Sequence, residues 1–523
     1  MMGMTTALLR RRDLHRAALW LALGAWRLPA AAAPDPAGPR WPSDPFALGV
    51  ASGAPRPDRV LLWTRLAPEG ESDVERDARA PVRVRWEVFA DESLRRRVTQ
   101  GQQDTDAARG FSVHAEAVGL APDRHYWYRF TCGDARSPVG RTRTAPAAGA
   151  QVGRLRLALA SCQHYEQGFY AAHREIARTD LDAVVFVGDY IYEGHVGAAR
   201  ALRHHGAGEP RTLDEYRARH ALYKRDADLQ AAHAAHPWIL TWDDHEVVND
   251  YADDRGPEPQ PPADFLRRRA AAYRAYFEHM PVALAPEGAQ MRIHDRFAWG
   301  RLVDLWTLDC RQYRSHHACA DPQRDHGRVL TDCAELEDPA RSMLGMAQER
   351  WLGEGLVASK ARWKLLAQSS QMSAIGIDTP QGRQTWTDGW DGYPLARQRL
   401  LQGVAQAGVR DVLALGGDVH RFVAADLRVR PNDAASPVIA SEFVGGSVTS
   451  RGADAAAMAR LRQSNPDVQH ARGDERGYAL LDISPGTVHC TFRATPHPAA
   501  PDAPLGTQAA YVVASGRAGV QSA

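Results

Sequence analysis

The chain has 523 residues, of which 44% are hydrophobic and 24% are charged, a composition that is typical of globular proteins and excludes a disordered or collagen-like chain. Its 64 basic and 63 acidic residues leave a formal charge of +1 at pH 7. This balance argues against a basic nucleic-acid-binding surface, so we expect no stable nucleic-acid partner. The sequence has no apolar run long enough to span a membrane, so we expect no transmembrane anchor, and we expect a monomer.

The first segment is typical of an export signal. Basic residues 10–12 precede a short apolar run over 17–26, and the small residues 30–33 suit a cleavage site. Arg11 and Arg12, followed by Leu14, resemble a twin-arginine signal. A general secretory signal and a basic, unexported N-terminus are the alternatives. We predict that residues 1–33 are a twin-arginine signal peptide and that the protein is periplasmic or secreted.

Residues 41–143 are predicted to form a small β-sandwich. Val82, Val84, Trp86 and Val88 alternate with charged residues, which is the pattern of a half-buried strand. Further strands are predicted at 60–63, 113–118 and 126–130. Tyr126 resembles the tyrosine corner of immunoglobulin-like sandwiches, and a plain core aromatic is the alternative. Residues 144–153 have little side-chain bulk and are predicted to be a linker.

Residues 154–523 are predicted to form an α/β domain. Helical segments separate several of the apolar strands, and Thr212 to Glu215 form a capping box that begins one helix, with another predicted over 263–280. Strands that alternate with helices indicate a sheet covered on both faces. The predicted strands are 155–160, 183–187, 238–241, 302–308, 363–367 and 412–415.

Acidic or metal-capable side chains directly follow four of these strands. In open α/β sheets, ligands bind at the carboxyl ends of the strands, so we expect the four ends to meet in one crevice. Asp189 could bridge two cations, which would polarise a phosphoryl group and activate a water. Cys162 would bind a metal as thiolate, and a buried inert thiol is the alternative. The four motifs are Ser-Cys-Gln-His-Tyr at 161–165, Gly-Asp-Tyr-Ile-Tyr at 188–192, Trp-Asp-Asp-His-Glu at 242–246 and Gly-Gly-Asp-Val-His at 416–420.

In this order, the motifs resemble the alkaline phosphatase D (PhoD-like) family of calcineurin-like metallophosphoesterases, over nearly the whole mature chain. The resemblance implies a calcineurin-like α/β sandwich preceded by an immunoglobulin- or fibronectin-like β-sandwich. It also implies an exported, metal-dependent hydrolase of phosphomonoesters, phosphodiesters or both. One alternative is a phospholipase D-type phosphodiesterase of the same fold, which would bind a phospholipid head group. A non-catalytic cell-envelope binding protein is the alternative from another class.

The resemblance also implies residue roles and metals. The metals would be Fe³⁺ and Ca²⁺, with Mn²⁺ or Zn²⁺ as other possibilities. His245 would contact the phosphate or protonate the leaving group, with Asp189 as the second catalytic residue. Arg311 would reach the substrate phosphate, or else form a structural ion pair. The expected metal ligands are Cys162, Asp189, Tyr192, Asp244, Asp418 and His420.

The remaining cysteines and histidines give weaker signals. Cys319 and Cys333 lie in a polar stretch and are predicted to form a disulfide, with Cys310 as the rival partner for either. Residues 368–373 contain no histidine that would complete a second metal site, so the metal stoichiometry stays open. The histidines at 204–205, 233, 236 and 316–317 have no consistent ligand spacing, and we expect them in solvated loops.

Overall fold

The computed structural model describes residues 39–68, 79–321 and 323–523. The predicted signal peptide, residues 1–33, lies outside them. Within the described ranges, no helix is long and apolar enough to cross a membrane.

The N-terminal part is a β-sandwich that shares a sheet with the rest of the molecule. Its strands are β1 (Val50–Gly53), β2 (Arg59–Arg65), β3 (Val82–Phe89), β4 (Arg97–Thr105), β5 (Ser112–Val118), β6 (His125–Cys132), β7 (Ala135–Arg136) and β8 (Gly140–Arg143). Strands β3, β4, β6, β7 and β8 form one sheet, while β1, β2 and β5 form the end of a ten-stranded sheet. Apolar side chains of both sheets, including Val60, Val88 and Val113, pack between them. The predicted limits of the β-sandwich (41–143), the linker (144–153) and the α/β domain (154–523) remain predictions.

The C-terminal part alternates strands and helices. Its strands are β9 (Leu155–Ala160), β10 (Ala183–Val187), β11 (Pro237–Thr241), β12 (Asp295–Trp299), β13 (Val303–Thr307), β14 (Val329–Leu330), β15 (Trp363–Ala367), β16 (Ile377–Thr379), β17 (Gly382–Trp386), β18 (Val412–Gly416), β19 (Phe422–Arg428), β20 (Val438–Gly445), β21 (Val468–Arg472), β22 (Glu475–Ile483), β23 (Thr487–Pro496), β24 (Gly506–Ala514) and β25 (Arg517–Ser522). Its helices are α1 (Ala171–Arg178), α2 (Leu213–Lys224), α3 (Ala227–Ala235), α4 (Pro262–His279), α5 (Met346–Ala358), α6 (Pro394–Gln406) and α7 (Ala455–Ser464).

Two large mixed sheets pack face to face. The first has the order β25-β24-β23-β22-β9-β10-β11-β1-β2-β5, and the second has the order β12-β13-β15-β18-β20-β19-β21. Side chains such as Leu159, Val185 and Leu365 fill the space between the sheets. Helices α1 to α4 cover the outer face of the first sheet, and α5 and α6 cover that of the second. This is the α/β sandwich with an N-terminal β-sandwich that the sequence predicted.

Local signals from the sequence appear in the structure. The Tyr126 hydroxyl accepts a hydrogen bond from the amide of Ala121 at 2.9 Å and lies 3.3 Å from the Ala121 carbonyl, as in a tyrosine corner. Helix α2 begins at the predicted capping box, in which Thr212 and Glu215 cap each other's backbone amides. Strands β9, β10 and β11 run parallel, as do β13, β15 and β18. The carboxyl ends within each set therefore lie at the same end of the sheet.

Candidate metal centre

The carboxyl ends of β9, β10 and β18 bring four predicted ligands together. The Tyr192 hydroxyl lies 2.7 Å from Asp189 Oδ2 and 3.0 Å from His420 Nε2. Donor atoms of Cys162, Asp189 and His420 all lie within 4.8 Å of one another. All of these residues except His420 are almost completely buried. Thiol, carboxylate, phenol and imidazole donors thus meet around one small volume.

Asp189 also belongs to a second group. Donor atoms of Asp189, Asp244 and His245 lie within 4.8 Å of one another. A carboxylate shared by two groups of donors is placed as a bridging ligand would be. Asp418 belongs to neither group, and its Oδ2 accepts a hydrogen bond from Ser370 Oγ at 3.1 Å.

The ends of these strands have an unusual backbone. Cys162, Asp189, Asp418 and His420 have φ between 50° and 62°, in the left-handed region that few residues with a side chain adopt. Gly188 has φ of 101°, and a Cβ there would lie 2.5 Å from the backbone nitrogen of Asp243. Strained backbone of this kind clusters at functional sites, where it directs side chains.

Glu246 holds two of the turns together. Its buried carboxylate accepts backbone hydrogen bonds from Asp189 at 3.2 Å, Tyr190 at 2.6 Å and Asp243 at 2.9 Å. The turn after β10 is therefore fixed to the turn after β11. This contact sets the spacing between Asp189 and the Asp243–Asp244 pair.

The donor set fits a bound cation. Asp189 Oδ1 is buried and has no hydrogen-bond partner among the described residues, and such an orphaned oxygen is costly. Burial, together with the charges of Asp244 and Asp243, raises the pKa of Asp189 well above its ordinary value despite the opposing charge of His245. Burial and then Asp189 likewise raise the pKa values of Cys162 and Tyr192. A cation would replace the protons that these groups otherwise hold, because ligation requires the deprotonated forms.

His245 lies beside this cluster and is held by Glu193. Its Nδ1 lies 2.6 Å from Glu193 Oε2, and its ring centroid lies 4.1 Å from that of Tyr192. Burial lowers the pKa of His245, but the charges of Glu193, Asp244 and Asp189 outweigh this and raise it well above its ordinary value. With Nδ1 bound, Nε2 is the ring nitrogen left to face a ligand.

Three supporting contacts were missed by the sequence reasoning. Glu193 was overlooked although it directly follows Tyr192 in the motif. Ser450 Oγ lies 2.8 Å from the Tyr192 hydroxyl and 2.9 Å from the Cys162 carbonyl. His420 Nδ1 lies 3.0 Å from the carbonyl of Arg451, which leaves Nε2 for the cluster. The only sequence signal for residues 450 and 451 is the small-residue loop that follows β20.

Arg311 is enclosed by carboxylates. Its side chain is fully buried, its Nε contacts Asp243, and its Nη1 lies 2.9 Å from Asp388. Its Nη2 lies 3.6 Å from Asp244. This geometry favours the ion-pair alternative for Arg311 over direct contact with a substrate. The guanidinium lies against the carboxylates of Asp243 and Asp244.

The structure also places the predicted disulfide and the remaining histidines. The sulfur atoms of Cys319 and Cys333 are bonded, and Cys310 is a free buried thiol. The prediction of solvated loops is wrong for four of the histidines, because their rings pack in the protein interior: His205, His233, His236 and His317. For example, the ring of His233 stacks on Trp238 with the centroids 3.8 Å apart.

Comparisons with known proteins cover both parts of the chain. A sequence model of the PhoD-like phosphatase family matches residues 157–492, and a model of its N-terminal domain matches residues 31–146. The chain is 40% identical over 494 residues to alkaline phosphatase D of Bacillus subtilis (strain 168), covering 93% of this chain and 83% of that relative. A solved structure titled "Structure of PhoD" matches with a TM-score of 0.87 and 39% identity, covering 92% of this chain and 93% of that chain. Because the matched region includes every strand end that contributes to the cluster, the chain belongs to the PhoD-like phosphatase family and is a hydrolase of phosphate esters.

Proposed function

We propose that this protein is an exported phosphatase that hydrolyses phosphomonoesters, phosphodiesters or both at a centre of two or more cations. The observation that carries the proposal is that Asp189 belongs to both groups of donor atoms. One group includes Cys162 and His420, and the other includes Asp244. One carboxylate so placed can hold two cations together. The unpartnered Asp189 Oδ1 supports the same role.

The donors divide by chemical type. Cys162, Tyr192 and His420 supply thiolate, phenolate and imidazole on one side of Asp189, a set that suits Fe³⁺, with Zn²⁺ or Mn²⁺ as other possibilities. Asp244 supplies oxygen on the other side, which suits Ca²⁺. Asp418 is proposed as a further oxygen ligand. Cations bound here would polarise the phosphoryl oxygens and lower the pKa of a water for in-line attack.

The protein's own residues position the ester and move its proton. We propose that His245 donates a proton from Nε2 to the departing ester oxygen, because Glu193 holds Nδ1 and keeps the ring charged. Arg311 contacts the carboxylates of Asp243 and Asp244 and holds them in place beside the centre. Glu246 keeps the turns after β10 and β11 in register.

Metal analysis combined with a substrate panel tests this function. We expect Asp189→Asn to lose bound metal and activity together, because removal of a bridging carboxylate releases both cations. His245→Ala should keep the metal and lose about 10²–10⁴-fold in turnover. Asp502→Asn, a change on the exposed surface, is the matched control.

The panel contains 4-nitrophenyl phosphate, bis(4-nitrophenyl) phosphate and phosphatidylcholine. Faster turnover of the third would favour the phospholipase D-type alternative. Full metal content and wild-type rates in Asp189→Asn would place the active site elsewhere.

A further inference from the structure

A cavity lies at the edge of the second sheet beside strand β12, outside the metal centre. It has a volume of about 510 Å³ and lies between the start of β12 and the start of α5. Its size falls in the range of small-molecule sites, roughly 300–1,000 Å³. None of the proposed metal ligands lines it.

Three aromatic rings form its wall. The His294 ring centroid lies 5.1 Å from that of Trp351 and 5.9 Å from that of Tyr313. His294 Nδ1 is buried without a hydrogen-bond partner among the described residues. Burial lowers the pKa of His294, which favours the neutral ring. Met346 adds an apolar side chain at the mouth, where it is 53% exposed. Such a wall suits a flat apolar group.

The charges around the cavity favour an anion. Arg292 is exposed and has no ion pair or side-chain hydrogen bond among the described residues. Asp295, the acidic side chain on the lining, is already paired with Arg56. Helix α5 begins here without a side-chain cap, so its positive end faces the same space. Gly345 has φ of 73°, and a Cβ there would lie 2.8 Å from the Tyr313 Cβ, so a glycine lets this helix end approach the aromatic wall.

We propose that this cavity is a second ligand site, which binds a small planar aromatic anion independently of the metal centre. The ring would lie against Trp351, Tyr313 and His294, and the anionic group would face Arg292 and the start of α5. Stacking on aromatic faces and charge complementarity would then act on opposite ends of one ligand.

A basic cavity at the amino ends of β13, β15 and β18 is a weaker candidate. It is lined by Arg301, Lys360, Arg362 and Arg410. However, α5 and α6 end there, and cations that follow helix carboxyl ends already complement the helix dipole. Those charges therefore require no ligand.

The experiment uses naphthalene-1-sulfonate as the anionic probe and naphthalene-1-sulfonamide as its neutral analogue. Calorimetric titration of the full-length protein should show one equivalent of sulfonate bound, more tightly than the sulfonamide. Met346→Glu places a negative charge at the mouth and should weaken sulfonate binding about tenfold, equivalent to about 1.4 kcal/mol, while changing sulfonamide binding little.

The matched control is Val357→Glu. Val357 lies near the other end of the same helix and is 60% exposed, so this change adds the same charge away from the cavity. It should leave sulfonate binding unchanged. Arg292→Gln should remove the preference for the anion without affecting the fold, because Arg292 is exposed.

The proposal would be overturned by no binding of the sulfonate at millimolar concentration, by equal affinities for the two probes, or by equal losses in Met346→Glu and Val357→Glu. Asp189→Asn should bind the sulfonate as the wild type does. Loss of binding in that variant would place the ligand at the metal centre instead. A failure of the proposed phosphatase mechanism would leave these titrations unchanged.

Discussion

Glu193 and His245 form the contact on which proton donation to the leaving group depends. Glu193 is 4% exposed, and its Oε2 lies 2.6 Å from His245 Nδ1. The backbone amide of Asn249 donates to its other oxygen at 2.8 Å. Burial raises the pKa of Glu193, but the charge and hydrogen bond of His245, together with the backbone hydrogen bond from Asn249, lower it overall. Glu193→Gln keeps the size of the side chain and removes its charge.

The expected size of the effect follows from this geometry. A buried hydrogen bond between charged groups contributes about 1.5–3 kcal/mol. If all of it acts in the transition state, turnover falls about 10- to 150-fold, at about 1.36 kcal/mol per factor of ten. The loss should be greatest for alkyl phosphates, whose leaving groups need a proton, and smallest for 4-nitrophenyl phosphate.

The assay compares turnover of both ester types in the wild type, Glu193→Gln, His245→Ala and the double variant, with metal content measured on each. Glu193→Gln should reduce turnover little further when His245→Ala is already present, because both changes remove the same proton donation. Glu209→Gln is the control, since that carboxylate contacts Arg268 instead. Equal losses for both ester types, additive losses in the double variant, or loss of metal in Glu193→Gln would refute the positioning role.

Further outcomes are expected for the metal ligands, the disulfide and export. If Tyr192 binds Fe³⁺ as phenolate, Tyr192→Phe should remove a visible charge-transfer band and lower iron before calcium; an unchanged spectrum would exclude it as a ligand. Loss of the Cys319–Cys333 bond, through Cys319→Ser, should lower the free energy of unfolding by up to about 3 kcal/mol in denaturant titrations, given the separation of 14 residues. Free thiols at both positions in non-reducing peptide maps would contradict the bond. The double variant Arg11→Lys, Arg12→Lys should leave the active enzyme in the cytoplasm. Unchanged activity outside the cytoplasm would rule out the twin-arginine route.

The strand ends were predictable because their signals are local. A short apolar run followed directly by a polar motif fixes both the strand and the place where it stops. The run predicted at 155–160 is β9, and the one at 183–187 is β10. Because ligands bind at the carboxyl ends of strands in open α/β sheets, these signals also predict that Cys162, Asp189 and His420 lie together.

The shared sheet was not predictable from such signals. Strand β1 pairs in parallel with β11, whose residues lie far along the chain, and all of β1 is buried. The four residues of β1 show no alternation of apolar and polar side chains that would indicate its pairing strand. Ser450 and the Arg451 carbonyl were missed for a similar reason, because a backbone carbonyl and a hydroxyl in a small-residue loop have no sequence pattern of their own. The buried histidines were missed because packing, rather than spacing, determines their surroundings.

The backbone around the centre indicates that the fold directs the donors before any ion binds. Left-handed φ values at Cys162, Asp189 and His420 cost of the order of 1–3 kcal/mol each. The hydrogen bonds to Glu246 offset this cost at Asp189, and the packing of the two sheets supports the strands that lead into all three turns. A site arranged in this way needs little ordering when a cation arrives, so its affinity depends on the donors themselves. Substitutions that change a donor atom and keep its size, such as Asp189→Asn, should therefore remove metal while the sheets stay folded, and the resulting loss of activity can be interpreted as lost chemistry.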